Sequence, residues 1–320
     1  MTKKLWEASK QQKKDSNLYE FEKFLAKKFN YLPRKNYKKL FSWTIKYPKL
    51  FWSSIWEYSE LKGIKNDKFY LPKEIIKSKF LLNSKLNYAE NLLPKYDNSK
   101  AVTFISENGF REEKSWKKLN NDTLKLINFL NEIKIKEPDR VAAYTANQIE
   151  TVESFLATSA VGAIWSSCSP DFGTKGVIER FSQIKPKLLI ITDRYYYNGK
   201  EINVLERLQT IIQKIKSIKN VLIINYPGKK NLKQRRIRGI KIFYYNKLKN
   251  KKKNFSFKKF DFDKELAILY SSGTTGKPKC ICHRAGGVLL QHLKEHKLHC
   301  NVKEGDNVFY FTTCGWMMWN

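Results

Sequence analysis

One stretch, residues 266–284 (LAILYSSGTTGKPKCICHR), constrains the fold more than any other. Its apolar start, Leu266–Tyr270, reads as a buried β-strand and runs straight into Ser271-Ser272-Gly273-Thr274-Thr275-Gly276-Lys277-Pro278-Lys279. Those nine residues hold four hydroxyl side chains, two glycines and two lysines. Glycines let the backbone turn tightly and bring N–H groups close to a ligand. Successive N–H groups in such a turn form an anion-binding concavity, to which hydroxyl and ammonium groups add donors. The chemistry implies a bound polyphosphate. The pattern is not the common phosphate loop G-x-x-x-x-G-K-[ST], because position 271 is serine and position 278 is proline. A flexible Gly/Ser/Thr linker is the alternative, but a linker does not ordinarily follow a hydrophobic strand and leave through Pro-Lys.

Size and charge narrow the class. The chain has 320 residues, enough for two domains or one large one, with 42% apolar and 14% aromatic residues. Its 62 Lys and Arg against 30 Asp and Glu give a net charge of +32, a balance that suits nucleic acid or an anionic membrane surface. Here, however, lysine is spread along the whole chain together with asparagine and isoleucine, which a codon bias explains better than a binding face. The basic runs Lys229–Arg238 and Lys247–Lys253 come without an aromatic stacking platform and read as solvated loops. No nucleic-acid partner is therefore expected. The opening MTKKLWEASKQQKKD lacks the apolar core of a signal peptide, and no run of 18 apolar residues occurs. Five cysteines at irregular spacings (Cys168, Cys280, Cys282, Cys300, Cys314) point to a reducing compartment. The expectation is a cytoplasmic protein with no membrane partner.

Taken in order, residues 1–95 are aromatic-rich and mostly helical in pattern. Leu18, Phe21, Phe24 and Leu25 recur at helical spacing, as do Leu50, Phe51, Ile55, Trp56 and Tyr58. Trp43, Trp52 and Trp56 read as packing residues. From Ala101 short apolar strands alternate with amphipathic helices. Val102–Ser106 and Glu113–Trp116 flank a hairpin turn at Asn108-Gly109. The expected helices are Asp122–Ile133 (capped near Asn121 or Asp122), Glu150–Val161, Thr174–Ile184, Ile202–Ile218 and Ala285–His299. The expected strands are Val141–Thr145, Ala163–Ser167, Leu188–Thr192, Val221–Asn225, Ile240–Tyr245 and Val308–Thr312. Such alternation implies βαβ units and an α/β fold, a parallel sheet covered on both faces.

Ser271–Lys279 matches the signature [ST]-S-G-[ST]-T-G-x-P-K, and in this the chain resembles the adenylate-forming acyl-CoA synthetases. The resemblance extends through Asp139–Tyr144 (DRVAAY) and Ala160–Trp165 (AVGAIW). The Trp-rich start and Asn87–Asn91 (NYAEN) resemble the cap segment of that family's acetyl-CoA synthetase branch. Gly286-Gly287, His292–His296 (HLKEH), Leu298-His299 and Thr312–Asn320 (TTCGWMMWN) are most similar to the branch that activates acetoacetate. The resemblance implies a partial large N-terminal domain with layered parallel and mixed sheets flanked by helices. Residues 1–96 would be the cap segment and 97–320 an incomplete AMP-binding domain.

It also implies a chemistry. A carboxylate attacks the α-phosphorus of MgATP to give an acyl-adenylate, and the thiol of coenzyme A then displaces AMP. ATP, Mg2+ and coenzyme A are the implied cofactors, and acetoacetate the implied acid, with acetate or propionate as alternatives. Ser271, Ser272, Thr274 and Thr275 would donate to the phosphates, Gly273 and Gly276 would admit them, and Lys277 and Lys279 would add charge. Lys200 aligns with a basic residue that meets the 3′-phosphate of coenzyme A in relatives. Trp316 sits where relatives wall the acyl pocket. The residues for magnesium, for the ribose and for catalysis would lie beyond Asn320, so these 320 residues are expected to be a truncated, inactive piece without the C-terminal domain. A rival of another class is His292-x-x-Glu295-His296, the inverted zinc-protease pattern, for which no third ligand is evident. Cys280-Ile281-Cys282-His283 likewise lacks a second ligand pair.

Overall fold

Four strands are buried at every position or at all but the first, as expected of a parallel sheet covered on both faces. They belong to a seven-stranded sheet in the computed structural model, which describes residues 5–29, 36–227, 235–249, 255–271 and 276–320. In chain order the strands are β1 (Arg140–Tyr144), β2 (Ile164–Cys168), β3 (Leu188–Thr192), β4 (Asn220–Ile224), β5 (Lys241–Tyr244), β6 (Glu265–Ser271) and β7 (Lys279–Arg284). Their spatial order is β5-β4-β3-β1-β2-β6-β7. The first six are mutually parallel, in registers such as Val141↔Leu188 and Val141↔Trp165. The last, β7, runs antiparallel to β6 and forms one edge. The α/β fold expected from the strand–helix alternation is the one observed.

This sheet lies in the larger of two units, comprising Asn87–Phe260, Lys264–Ala285 and Phe311–Asn320. Helix α1 (Trp116–Glu132) packs on α2 (Ile149–Ala160), and α3 (Thr174–Ile184) on α4 (Leu208–Lys214). Nearly every residue of α2 is buried, its hydroxyl-bearing ones included. They satisfy themselves along the helix: Ser154, Thr158 and Ser159 donate to the carbonyls of Glu150, Ser154 and Phe155 at 2.6, 2.7 and 2.6 Å. The Asn108-Gly109 turn joins strands Lys100–Ile105 and Arg111–Ser115, with Gly109 at φ +80°.

The other unit comprises Met1–Leu86, Asp261–Asp263 and Gly286–Tyr310. Its helices Asn17–Phe29, Tyr37–Lys46 and Pro48–Tyr58 follow the aromatic periodicity. The tryptophans pack as expected: Trp43 against Tyr47, Trp52 against Phe80, and Trp56 against Phe262. A Cβ on Gly286 would lie 2.2 Å from the Phe262 ring, so this contact requires glycine.

Several boundaries differ from the sequence reading. Helix α1 begins at Trp116, because Ser115 caps it by accepting the Lys118 N–H; Asp122 is a buried side chain instead of a cap. The expected long helix Ile202–Ile218 is a strand (Lys200–Asn203), a 3₁₀ turn (Leu205–Arg207) and the short α4, because Val204 and Leu205 N–H groups bond the Asp193 carbonyl. Ala285–His299 is an α-helix only to Lys294, and Glu295–His299 continue it as a π-turn. Val308–Thr312 is in no strand: no described residue pairs with it, and Phe309 and Phe311 are 85% and 79% exposed.

Candidate functional site

The expected phosphate loop connects β6 to β7, and its two ends are fixed where the strands close. Ser271 pairs with Lys279 and Tyr270 with Cys280. Tyr270 is half-buried against the β2 side, its hydroxyl 3.1 Å from Ser166 Oγ and donating to the Arg180 carbonyl at 3.3 Å. Burial pushes its phenol well above the usual range, so it stays neutral and acts as an anchor. Ser166 Oγ also donates to the Ile268 carbonyl at 2.8 Å. On the outgoing side, Gln183 of α3 donates to the Pro278 carbonyl at 3.0 Å. Gly276 has φ +153°, and Lys277 and Lys279 are exposed. Ser272, Gly273, Thr274 and Thr275 lie outside the described residues.

The loop starts at the carboxyl end of β6, level with the carboxyl ends of its parallel neighbours, where open α/β sheets bind ligands. The last described segment, TTCGWMMWN, lies on that same edge. Cys314 is buried; its thiol donates to the Thr145 carbonyl at 2.7 Å, just past β1, and its carbonyl accepts from Ser167 Oγ at the end of β2. Burial pushes the Cys314 thiol up to about 12, which makes it a packing group and not a nucleophile. A Cβ on Gly315 would lie 2.6 Å from the Phe172 ring and 2.8 Å from the Ser169 nitrogen, so the segment approaches this closely only with glycine there. Trp319 stacks on the fully buried Trp165, with centroids 6.5 Å apart, and donates its Nε1–H to Asn147 Oδ1 at 2.9 Å.

The loop after β2 is held by charge and aromatic contact. Arg207 donates to the Tyr144 hydroxyl oxygen and, at 2.7 Å, to the Pro170 carbonyl. The Tyr144 hydroxyl in turn donates to the Phe172 carbonyl at 2.8 Å. Burial raises the Tyr144 phenol, and the adjacent guanidinium only partly offsets this. Arg180 lies over the Phe172 ring at 4.3 Å. The result is a layer of aromatic rings, Tyr144 and Phe172, each with a guanidinium group against it, on the side of the sheet edge from which the donor-rich loop starts.

Of the residues singled out in the sequence, Ser271, Gly276, Lys277, Lys279 and Trp316 fall on this edge or on its loop. Trp316 is 52% exposed, whereas Trp319 is the tryptophan anchored by stacking. Lys200 is exposed and opens the second strand of the Arg194–Tyr197/Lys200–Asn203 hairpin, beside Gly199, whose N–H donates to Glu107 at 3.0 Å. The zinc alternative finds no group of three or more ligating side chains among the described residues. The rings of His292 and His296 are 6.1 Å apart, but Glu295 is held by Lys294 at 2.6 Å. Asn147, Gln183 and Arg207 escaped sequence reading, and of these only Asn147, a polar residue just beyond a predicted strand, carried a signal; Trp319 lies in the TTCGWMMWN segment, where Trp316 was the residue singled out. No helix among the described residues is long and apolar enough to cross a membrane.

Comparison with known proteins agrees with this geometry. The profile of the AMP-binding enzyme family matches residues 93–319. The chain is 39% identical over 293 residues to an acetoacetyl-coenzyme A synthetase of Rhizobium meliloti (strain 1021), covering 89% of this chain and 44% of that protein. It is 39% identical over 303 residues to an acetoacetyl-CoA synthetase of Xenopus tropicalis, again covering 89% and 44%. The solved structure of an acetoacetyl-CoA synthetase from Streptomyces lividans superposes with a TM-score of 0.90 at 28% identity, covering 99% of this chain and 49% of that one. The chain thus spans less than half the length of the relatives it matches. By its phosphate-loop sequence, its sheet and the profile match across most of its length, the chain belongs to the AMP-binding enzyme family.

Proposed function

We propose that the chain is the nucleotide-gripping part of an acid–thiol ligase that activates acetoacetate with ATP and passes the acyl group to coenzyme A. A carboxylate is a poor acyl donor and must first acquire a good leaving group. Its oxygen displaces pyrophosphate from ATP, and the thiol of coenzyme A then displaces AMP. The observation that carries this reading is the closing of the Ser271–Lys279 loop at the carboxyl edge of β6, beside the wall formed by Cys314–Trp319. Identity of 39% to acetoacetyl-CoA synthetases supports the choice of acid.

In this reading Ser271, Ser272, Thr274 and Thr275 donate hydroxyl hydrogen bonds to the phosphates of ATP, and Gly273 and Gly276 let the backbone approach them. Lys277 and Lys279 add positive charge, with their exposed ammonium groups free to turn toward an anion. Trp316 borders the acid and Lys200 meets the 3′-phosphate of coenzyme A. The donor set suits Mg2+-bound polyphosphate, since hydroxyls and ammonium groups complement the phosphate oxygens that the metal leaves uncovered. Residues 1–96 form the cap segment, 97–320 belong to the AMP-binding domain, and the protein works in the cytoplasm.

The test is ATP–pyrophosphate exchange by the product of the whole reading frame, with acetoacetate, acetate and propionate compared. Acetoacetate is expected to give the highest kcat/KM, and a preference for acetate overturns the assignment. A relative named malonamoyl-CoA synthetase, from Penicillium aethiopicum, is 34% identical across 96% of this chain and 44% of its own length, so malonamate belongs in the same panel.

A further inference from the structure

Cys280 and Cys282 are exposed and lie one and three residues beyond Lys279, on the outermost strand of the seven-stranded sheet. Strand alternation puts both thiols on one face, opposite Tyr270 and Ile268 of β6, and puts Ile281 and His283 on the other. Cys280 donates weakly to Gln183 Oε1 at 3.6 Å.

Spacing decides what such a pair can do. Two residues along a strand separate equivalent atoms by about 6.7 Å, at a rise of 3.3–3.4 Å per residue. A disulfide needs Cβ atoms about 3.8 Å apart, so the pair cannot close one without breaking the ladder to β6. One metal ion relaxes this demand. Two metal–sulfur bonds of about 2.3 Å let the sulfurs stand as much as ~4.6 Å apart, a span closer to the two-residue repeat of a strand than a disulfide allows. No third ligating side chain completes the group among the described residues, so a closed tetrahedral zinc site is not formed. Soft thiolates that supply only two ligands suit a soft, low-coordinate ion.

We propose that Cys280 and Cys282 chelate a single monovalent copper ion. Two S–H bonds break, two S–Cu bonds form, and two protons leave to solvent, with no change of oxidation state. Each thiol must give up its proton before its sulfur can bind the ion. Binding therefore competes with protons and strengthens as pH rises.

The test is anaerobic titration of the reduced chain with copper(I) held by a chromophoric bicinchoninate competitor. The wild type is expected to withdraw one equivalent and stay monomeric relative to the metal-free chain. Cys280→Ser and Cys282→Ser should each lose that withdrawal, Cys282→Met should keep part of it through its thioether, and Cys300→Ser should leave it unchanged. Unaltered tryptophan fluorescence checks that each variant is folded. The proposal is overturned if the wild type withdraws no copper, if either Ser variant keeps the full equivalent, or if Cys300→Ser loses it. Copper-dependent dimerisation would also overturn it, because the ion would then bridge two chains.

Discussion

Replacing Lys114 by Met tests the least expected feature of the core. Lys114 lies on the hairpin strand before α1 with its side chain only 6% exposed, and its ammonium sits 2.8 Å from Glu153 and 3.0 Å from Asp122. Asp122 has a second cation, Lys118, at 2.9 Å, but Glu153 is fully buried and its other partner is the neutral Tyr245 hydroxyl at 2.5 Å. Methionine matches lysine in length and keeps the packing, so the loss is electrostatic. Removing one member of a buried pair costs about 3–5 kcal/mol. At roughly 2–4 °C per kcal/mol for a domain of this size, Tm should fall by about 10 °C.

The same substitution carries a pH signature. Burial raises the Glu153 carboxyl to about 7, with Lys114 opposing the rise, so the folded chain holds this proton more tightly than the unfolded chain does. Stability from that proton is present at low pH and lost as pH rises through about 7. Without Lys114 the raised value climbs further, and the destabilisation should be largest at pH 8 and shrink toward pH 5.5. Urea unfolding followed by tryptophan fluorescence at both pH values measures it, and Lys114→Met/Glu153→Gln should recover much of the loss at pH 8. A cost below about 1 kcal/mol, or one equal at the two pH values, would refute the claim that Lys114 neutralises a buried carboxylate.

Two further positions probe the packing around β2. Gly162, just before β2, has φ +75°, and a Cβ there would lie 2.4 Å from the Phe260 ring. Gly162→Ala should cost about 2–4 kcal/mol from backbone strain and overpacking together, read as a lower urea midpoint with an unchanged slope. Asn87 is fully buried and donates to the carbonyls of Ala160 and Lys258 at 3.0 and 2.9 Å. Asn87→Ala should lose about 2–4 kcal/mol by leaving both carbonyls unpaired, and Asn87→Asp should lose at least as much, because a carboxylate cannot donate to them; a tolerated Asp variant would contradict the hydrogen-bond assignment.

Much of this architecture was legible in the chain. The strands at Leu188–Thr192 and near Val141 and Val221 are nearly continuous apolar runs, as expected inside a covered sheet, and the strand near Ala163 is one in its first half. Helix Thr174–Ile184 was readable to the residue, since Gly173 opens it and its apolar positions keep a helical period. The start of α1 was misread because Asn121 and Asp122, placed near the cap in the sequence reading, lie inside the helix that Ser115 caps, and Asp122 is held there by what it meets in space. Strand β7 gave no signal: KCICHR is polar and cysteine-rich, and it is extended because β6 offers it a free ladder. Val308–Thr312 is the converse case, an apolar run with strand propensity and no described partner.

Sequence alone determined the strand–helix alternation, the hairpin at Asn108-Gly109, and the donor-rich loop with its family signature. These depend on residues a few positions apart, whose periodicity and turn chemistry act locally. Tertiary structure alone decided that Lys114 neutralises Glu153, that Trp319 and not Trp316 is the stacked tryptophan, and that Cys314 joins the carboxyl ends of β1 and β2. Each of those contacts joins residues between 39 and 169 positions apart. No local propensity encodes them, because the burial that makes each one worth forming exists only once the sheet has closed over it.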